Sequence, residues 1–176
     1  MNTQKLKESI RNVPDFPIPG IQFKDITTLF KDPECLRELI DGLHEIYKDK
    51  GITKVVGIES RGFVIGSLLA VRLNAGFIPI RKPGKLPAAY FEEVYEKEYG
   101  TDAIQIHQGA ISSDDVVLLH DDLLATGGTM LAAVRLVRKS HPQKIYVNFI
   151  VELSDLNGRK FFDPEIQVDS VIKYDI

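Results

Sequence analysis

The chain has 176 residues, a formal net charge of −3, 44% apolar and 27% charged residues, which suits one compact domain over residues 1–176 with an ordinary soluble composition. The slight acidity excludes a general nucleic-acid binder, and no apolar run is long enough to span a membrane. The single cysteine, Cys35, excludes an internal disulfide, and with the polar N-terminal stretch MNTQKLKESIRNV makes a reducing, cytoplasmic setting the expectation.

Residues 3–12 have the pattern of a short amphipathic helix. The stretch VPDFPIPGIQFKDIT then places Pro14, Pro17, Pro19 and Gly20 so close together that regular helix is impossible. It reads as an ordered loop, a hood over about residues 1–30. A helix is expected over 33–50: Asp32 can cap it, Pro33 fits its first turn, and Leu36, Leu39, Ile40 and Leu43 recur at helical spacing before Gly51. KVVGI, 54–58, reads as a buried strand. ESRG follows, then an apolar helix from Phe63 to Asn74, and FIPI, 77–80, is a further strand.

Residues 82–107 differ in character. RKPGKLP is a basic turn holding Arg81, Lys82 and Lys85, and AAYFEEVYEKEYGTDAIQIH alternates like a hairpin with a polar tip, an exposed arm. VVLLH, 116–120, is a strand, a helix is expected over 129–140, and KIYVNFIVEL, 144–153, is a strand. SDLNGRKFF holds a short helix and VDSVIKY a last strand. Strands alternating with crossover helices imply an α/β fold, a mostly parallel central sheet flanked by helices on both faces. Ligands of such sheets bind beyond the carboxyl ends of the strands, which directs attention to the loops after 58, 80, 120 and 151.

The most informative segment is VVLLHDDLLATGGTM, 116–130. A buried strand runs into two acids, and Ala125, Thr126, Gly127, Gly128 and Thr129 form a small-residue turn opening a helix. Free amides and the helix dipole favour an anion there. Glycine removes the Cβ that would block a phosphate, and threonine hydroxyls add hydrogen bonds. A plain glycine-rich turn would share those features, but Asp121 and Asp122 are adjacent like charges at the end of an apolar strand. Such a pair is costly unless a sugar diol or a magnesium-bound sugar phosphate engages it. A nucleotide P-loop requires Lys and then Ser or Thr after its last glycine, whereas Gly128 is followed by Thr129 and Met130. The loop suits a monophosphate plus ribose hydroxyls.

With this segment in view, the chain resembles the type I phosphoribosyltransferases, and DDLLATGGTM is similar to the form found in members acting on adenine. PDFPIPGIQFKDIT, GIESRGFVIG, IRKPGKLP and EYGTDAIQIH agree with that resemblance across nearly the whole chain. It implies the family's fold, with an N-terminal hood and a flexible β-arm, and transfer of a phosphoribosyl group from 5-phosphoribosyl-1-pyrophosphate to adenine. The products would be AMP and pyrophosphate, with Mg²⁺ held mainly by substrate oxygens and water, in a homodimer that binds neither nucleic acid nor membrane.

Residue by residue, the resemblance implies that Ala125, Thr126, Gly127, Gly128 and Thr129 hold the 5′-phosphate and that Asp121 and Asp122 bind the ribose hydroxyls. Adjacent residues of a strand face opposite ways, so the backbone is expected to leave strand geometry near Asp121. Glu59, Ser60 and Arg61 would form the pyrophosphate loop, with a cis peptide at Glu59–Ser60, and Arg81 and Lys85 would approach pyrophosphate. Glu98, on the arm, would handle the purine proton, and Tyr99 beside it would contact pyrophosphate or the reacting centre. In the hood, Phe23 would stack on the purine and the backbone of Gln22 and Lys24 would read its edge, an acceptor there favouring adenine over a 6-oxopurine. Asp25 would support the hood.

His120 departs from the family's usual aliphatic residue. It either packs at the strand end or makes activity pH-sensitive between about 6 and 7. Gln22 and Pro83 also vary from some relatives. Two alternatives remain open: a phosphoribosyltransferase for another purine base, and a regulator that senses phosphoribosyl pyrophosphate without turnover.

Overall fold

The buried apolar runs assemble as a five-stranded, wholly parallel sheet, in a computed structural model that describes residues 1–96 and 100–175. In chain order the elements are α1 (Thr3–Ser9), β1 (Arg11–Pro14), β2 (Gln22–Asp25), α2 (Thr27–Phe30), α3 (Pro33–Tyr47), β3 (Lys54–Ile58), α4 (Gly62–Arg72), β4 (Gly76–Ile80), β5 (Tyr90–Glu96), β6 (Thr101–His107), β7 (Val116–Leu124), α5 (Gly128–Arg138), β8 (Lys144–Leu153) and β9 (Gln167–Tyr174). Two single 3₁₀ turns, Ser154–Leu156 and Gly158–Phe161, lie between β8 and β9.

The sheet order is β4-β3-β7-β8-β9. Side chains alternate between its two faces. Val55 and Leu118 join α1, α3 and α4 on one face, while Val56, Val117 and Leu119 join α5 and the β5–β6 hairpin on the other. From β3 the chain passes through α4 to one side, and from β7 through α5 to the other. The carboxyl ends of β3 and β7 are therefore adjacent where the winding reverses, the place at which open α/β sheets bind ligands.

α3 begins as expected, with the Asp32 carboxylate accepting from the amides of Glu34 (2.9 Å) and Cys35 (3.1 Å). The hood is more regular than a loop: β1 and β2 pair antiparallel, Arg11 opposite Asp25 and Val13 opposite Phe23. The arm is an antiparallel hairpin, but it is not wholly exposed. Tyr95, Ile104 and Ile106 are buried against the α5 side of the core. The expectation that the chain leaves strand geometry near Asp121 is corrected. β7 stays extended to Leu124 because β8 continues to pair with it, whereas the ladder to β3 ends at His120.

The approach of α4 to the sheet depends on Gly57. A Cβ there would lie 2.8 Å from the Gly62 carbonyl oxygen and 2.8 Å from the Phe77 ring, so β3 can carry no side chain under the start of α4. Gly57→Ala is expected to destabilise the protein by about 1–3 kcal/mol through overpacking, read as a lowered urea midpoint with an unchanged m value. No helix among the described residues is long and apolar enough to cross a membrane.

Candidate active site

β7 delivers Asp121 and Asp122 to the sheet's carboxyl edge, just beyond the point where β3 stops pairing. Arg61 fills the gap: its Nε lies 2.8 Å from Asp122 Oδ2, with the Asp122 side chain only 5% exposed. The Asp121 carboxylate accepts from the Asp122 amide at 2.9 Å. Both acids, Arg61 and the loop 125–129 line one cavity of about 200 Å³. Although the backbone is extended, both residues line this cavity, just past the end of the β3 ladder.

Burial pushes Asp121 well above the usual carboxylate range, and the Asp122 charge beside it pushes further. Burial raises Asp122 as well, opposed by the Arg61 guanidinium. The site therefore holds two acids that both resist ionisation, and one cation. Two acids facing one cation suit a polyhydroxyl ligand that carries its own cation.

The loop is backbone-rich. Gly127, just before α5, adopts a left-handed φ of 87°, which a side chain would strain, and no side chain caps the helix. The first-turn amides of α5 are left for an anion. Thr129 Oγ1 donates toward the Tyr95 hydroxyl at 3.2 Å. Tyr95 thus ties the arm to the loop, a role hidden in sequence because the two segments meet only in the fold. Lys82 Nζ in turn binds Asp102 of the arm.

The segment 59–61 is shaped as the resemblance implies, with a cis Glu59–Ser60 peptide. Ser60 is exposed at the turn and Arg61 reaches the cavity. Glu59 is tied into the neighbouring basic turn. Its amide donates to the Ile80 carbonyl at 2.9 Å, and its carboxylate accepts from the Lys82 amide (2.8 Å) and Arg81 Nε (2.9 Å). These bonds, the Lys82 amide first, hold the Glu59 acid below its ordinary range. Glu59 thus anchors the basic turn through its amide and its Oε2. Arg81 is half-buried there, and Lys85 is exposed.

From the hood, the Phe23 ring lies 5.7 Å from the Arg61 guanidinium and meets Phe16 edge-on at 5.1 Å. The side chains of Gln22 and Lys24 both bind Asn12, at 2.7 and 2.8 Å. Asp25 binds Thr27 and Arg11, bonds that lower its pKa to about 2, which is the supporting role expected. Glu98 and Tyr99 lie outside the described residues. Among the described residues no group of three His, Cys, Asp or Glu side chains stands ready to hold a metal ion.

His120 is fully buried, with Nδ1 2.8 Å from Asn148 Oδ1 and, among the described residues, no partner for Nε2. Burial lowers its pKa from 6.5 to about 4, so pH sensitivity between 6 and 7 does not come from this residue, and the packing alternative stands. The unfolded chain takes up a proton that the folded one refuses over that interval. Stability contributed by neutral His120 is complete above pH 6.5 and is lost as pH falls toward 4. Imidazole NMR is expected to show one neutral tautomer, protonated at Nδ1, from pH 8 down to about 5.

Larger grooves exist elsewhere, such as one of about 680 Å³ between α3 and α4, but its lining has a single carboxylate, Asp41, and no glycine turn. The phosphoribosyl transferase domain model matches residues 25–167. An adenine phosphoribosyltransferase of Bacteroides thetaiotaomicron is 67% identical over 172 residues, covering 98% of each chain. The crystal structure of the adenine phosphoribosyltransferase of Rhodothermus marinus superposes with a TM-score of 0.92 at 50% identity, covering 98% of each chain. That of the Giardia lamblia enzyme, complexed with 9-deazaadenine, gives 0.94 at 39% identity, covering 100% of this chain and 99% of that one. The likeness to these proteins runs along the whole chain, and the chain belongs to the phosphoribosyltransferase family, in the branch of these adenine phosphoribosyltransferases.

Proposed function

We propose that the protein transfers the phosphoribosyl group of 5-phosphoribosyl-1-pyrophosphate to adenine, giving AMP and pyrophosphate in purine salvage. The observation that carries this reading is the convergence of Asp121, Asp122, Arg61 and the loop 125–129 on one small cavity. The loop takes the 5′-phosphate on its amides and threonine hydroxyls. The two carboxylates accept from the ribose hydroxyls and stabilise positive charge developing at C1′ as the base attacks. Arg61, Ser60, Arg81 and Lys85 gather the negative charge of the departing pyrophosphate. No covalent nucleophile is required. Phe23 offers the purine a ring to stack on, and Gln22 and Lys24 supply backbone groups for its edge, since their side chains are occupied by Asn12.

Hard carboxylate oxygens beside an anion-binding turn fit Mg²⁺ bound mostly through substrate oxygens and water, with Asp121 and Asp122 as its nearest protein groups. When bound, the ion neutralises pyrophosphate charge. On the arm, Glu98 handles the purine proton and Tyr99 contacts the reacting centre, the arm closing to exclude water. A cytoplasmic homodimer belongs to the same reading.

The test is pyrophosphate release with Mg²⁺ and phosphoribosyl pyrophosphate, offered adenine, hypoxanthine, guanine and xanthine in parallel. Release with adenine alone is expected. Release with a 6-oxopurine would overturn the base assignment, and binding of phosphoribosyl pyrophosphate with no turnover on any base would favour a sensor.

A further inference from the structure

The loop 125–129 has no long side chain with which to hold its own shape, yet its amides must stand in one arrangement to receive an anion. Its support comes from the segment between β8 and β9. Gly158 is buried with its backbone flat against the loop. A Cβ at Gly158 would lie 2.2 Å from the Ala125 carbonyl oxygen, 2.9 Å from the Thr126 carbonyl carbon and 3.0 Å from the Gly127 amide nitrogen. The contact is reciprocal, since a Cβ at Gly127 would meet the Gly158 carbonyl oxygen at 3.0 Å. All these atoms are backbone, so no side-chain rotation could relieve an added methyl group.

The segment is pinned on the far side. Arg159 Nε donates to Glu152 Oε1 at 3.0 Å and a second guanidinium nitrogen binds Glu152 Oε2. The same guanidinium reaches the Val168 carbonyl and Ser170 Oγ on β9. Glu152 is itself buried at the end of β8. Phe162, at the segment's end, packs edge-on against Phe149, which lines the cavity.

We propose that Gly158, held down by the Arg159–Glu152 pair, is a positioning residue that sets the loop 125–129 in its anion-binding shape and so governs affinity for the phosphoribosyl substrate rather than for the base. The inference rests on the proposal that this loop receives the 5′-phosphate. A loop already fixed in its bound form spends no binding free energy on ordering. Displacing it by a few tenths of an ångström or more would therefore appear first in binding of the phosphate group.

The experiment compares wild type with Gly158→Ala, Arg159→Gln and, as a control on the exposed face of the same segment, Lys160→Ala. Calorimetry gives Kd for ribose 5-phosphate, and steady-state kinetics gives KM for each substrate. Gly158→Ala is expected to raise Kd for ribose 5-phosphate and KM for phosphoribosyl pyrophosphate by about 10- to 100-fold, and to leave KM for adenine within about twofold. Arg159→Gln moves the same two constants in the same direction, and carries the test if Gly158→Ala does not fold. Lys160→Ala changes neither. A merely structural role would lower the active fraction, and hence kcat, without moving Kd or KM. Unchanged Kd in both variants, or equal losses for adenine and phosphoribosyl pyrophosphate, would overturn the proposal. Failure of wild type to bind ribose 5-phosphate would instead remove the loop assignment on which it rests.

Discussion

Asp121→Asn is expected to slow turnover steeply while making the ligand-free protein more stable. The Asp121 carboxyl is driven up by burial and by the Asp122 charge beside it, so in the folded chain its ionised form is disfavoured. An acid whose folded pKa lies above its unfolded value costs stability at every pH above the unfolded value. The stability present below the ordinary carboxyl value of 3.8 is lost as pH rises through the folded pKa. The amide keeps the shape and an acceptor oxygen but removes the repulsion. A gain on the order of 1 kcal/mol would raise Tm by about 2–4 °C for a chain of this size. The gain should be larger at pH 8 than at pH 4. Turnover should fall by about 10²–10³-fold, the usual consequence of losing one group aimed at transition-state charge. Thermal unfolding at the two pH values and steady-state rates check both halves. Unchanged turnover would remove Asp121 from the ribose role, and a lower Tm at pH 8 would show that its repulsion with Asp122 is relieved before any ligand arrives.

The contrast between what the sequence makes legible and what it hides follows from the range of the interactions. β3 and β8 occupy 54–58 and 144–153 as expected, because a strand covered on both faces is an unbroken apolar run bounded by turn residues. α3 starts where its cap predicts, but ends at Tyr47 rather than residue 50. The overrun of β7 to Leu124 was hidden by its two acids, which look like the end of a buried strand. Their tolerance depends on Arg61, sixty residues away in sequence by order of magnitude and adjacent only through the winding of the sheet. The same holds for Glu59. The family resemblance places it in the pyrophosphate loop, and only the neighbouring carboxyl end of β4 reveals that its amide and carboxylate are engaged. The hood's prolines exclude helix but say nothing of a ribbon, since Pro14 can close a strand edge where no amide is needed. In the arm, Tyr95, Ile104 and Ile106 read as one face of an exposed hairpin until α5 is known to cover them.

Arg61 is the second residue whose loss should reach several observables at once. Its Nε is bound to Asp122, its guanidinium lies near the Phe23 ring, and it borders the cavity. In the ligand-free protein it therefore satisfies a buried carboxylate, and in the proposed reaction it serves the departing pyrophosphate. Arg61→Ala removes both. It leaves Asp122 nearly inaccessible with no opposing cation, so the burial that raises its pKa acts without the Arg61 attraction that lowers it. A proton is then retained to higher pH, and since the ribose role needs an ionised acid, the acid limb of kcat/KM moves upward in pH. The rate at the optimum should fall by about 10²–10³-fold. Arg61→Lys should recover only part of that loss, because an ammonium cannot reproduce the fixed fork that serves carboxylate and phosphate together. The pH profile separates the two functions of the residue. A lower plateau with an unmoved acid limb would mean that Arg61 acts on pyrophosphate alone, and a shifted limb with an unchanged plateau would mean that it acts only through Asp122.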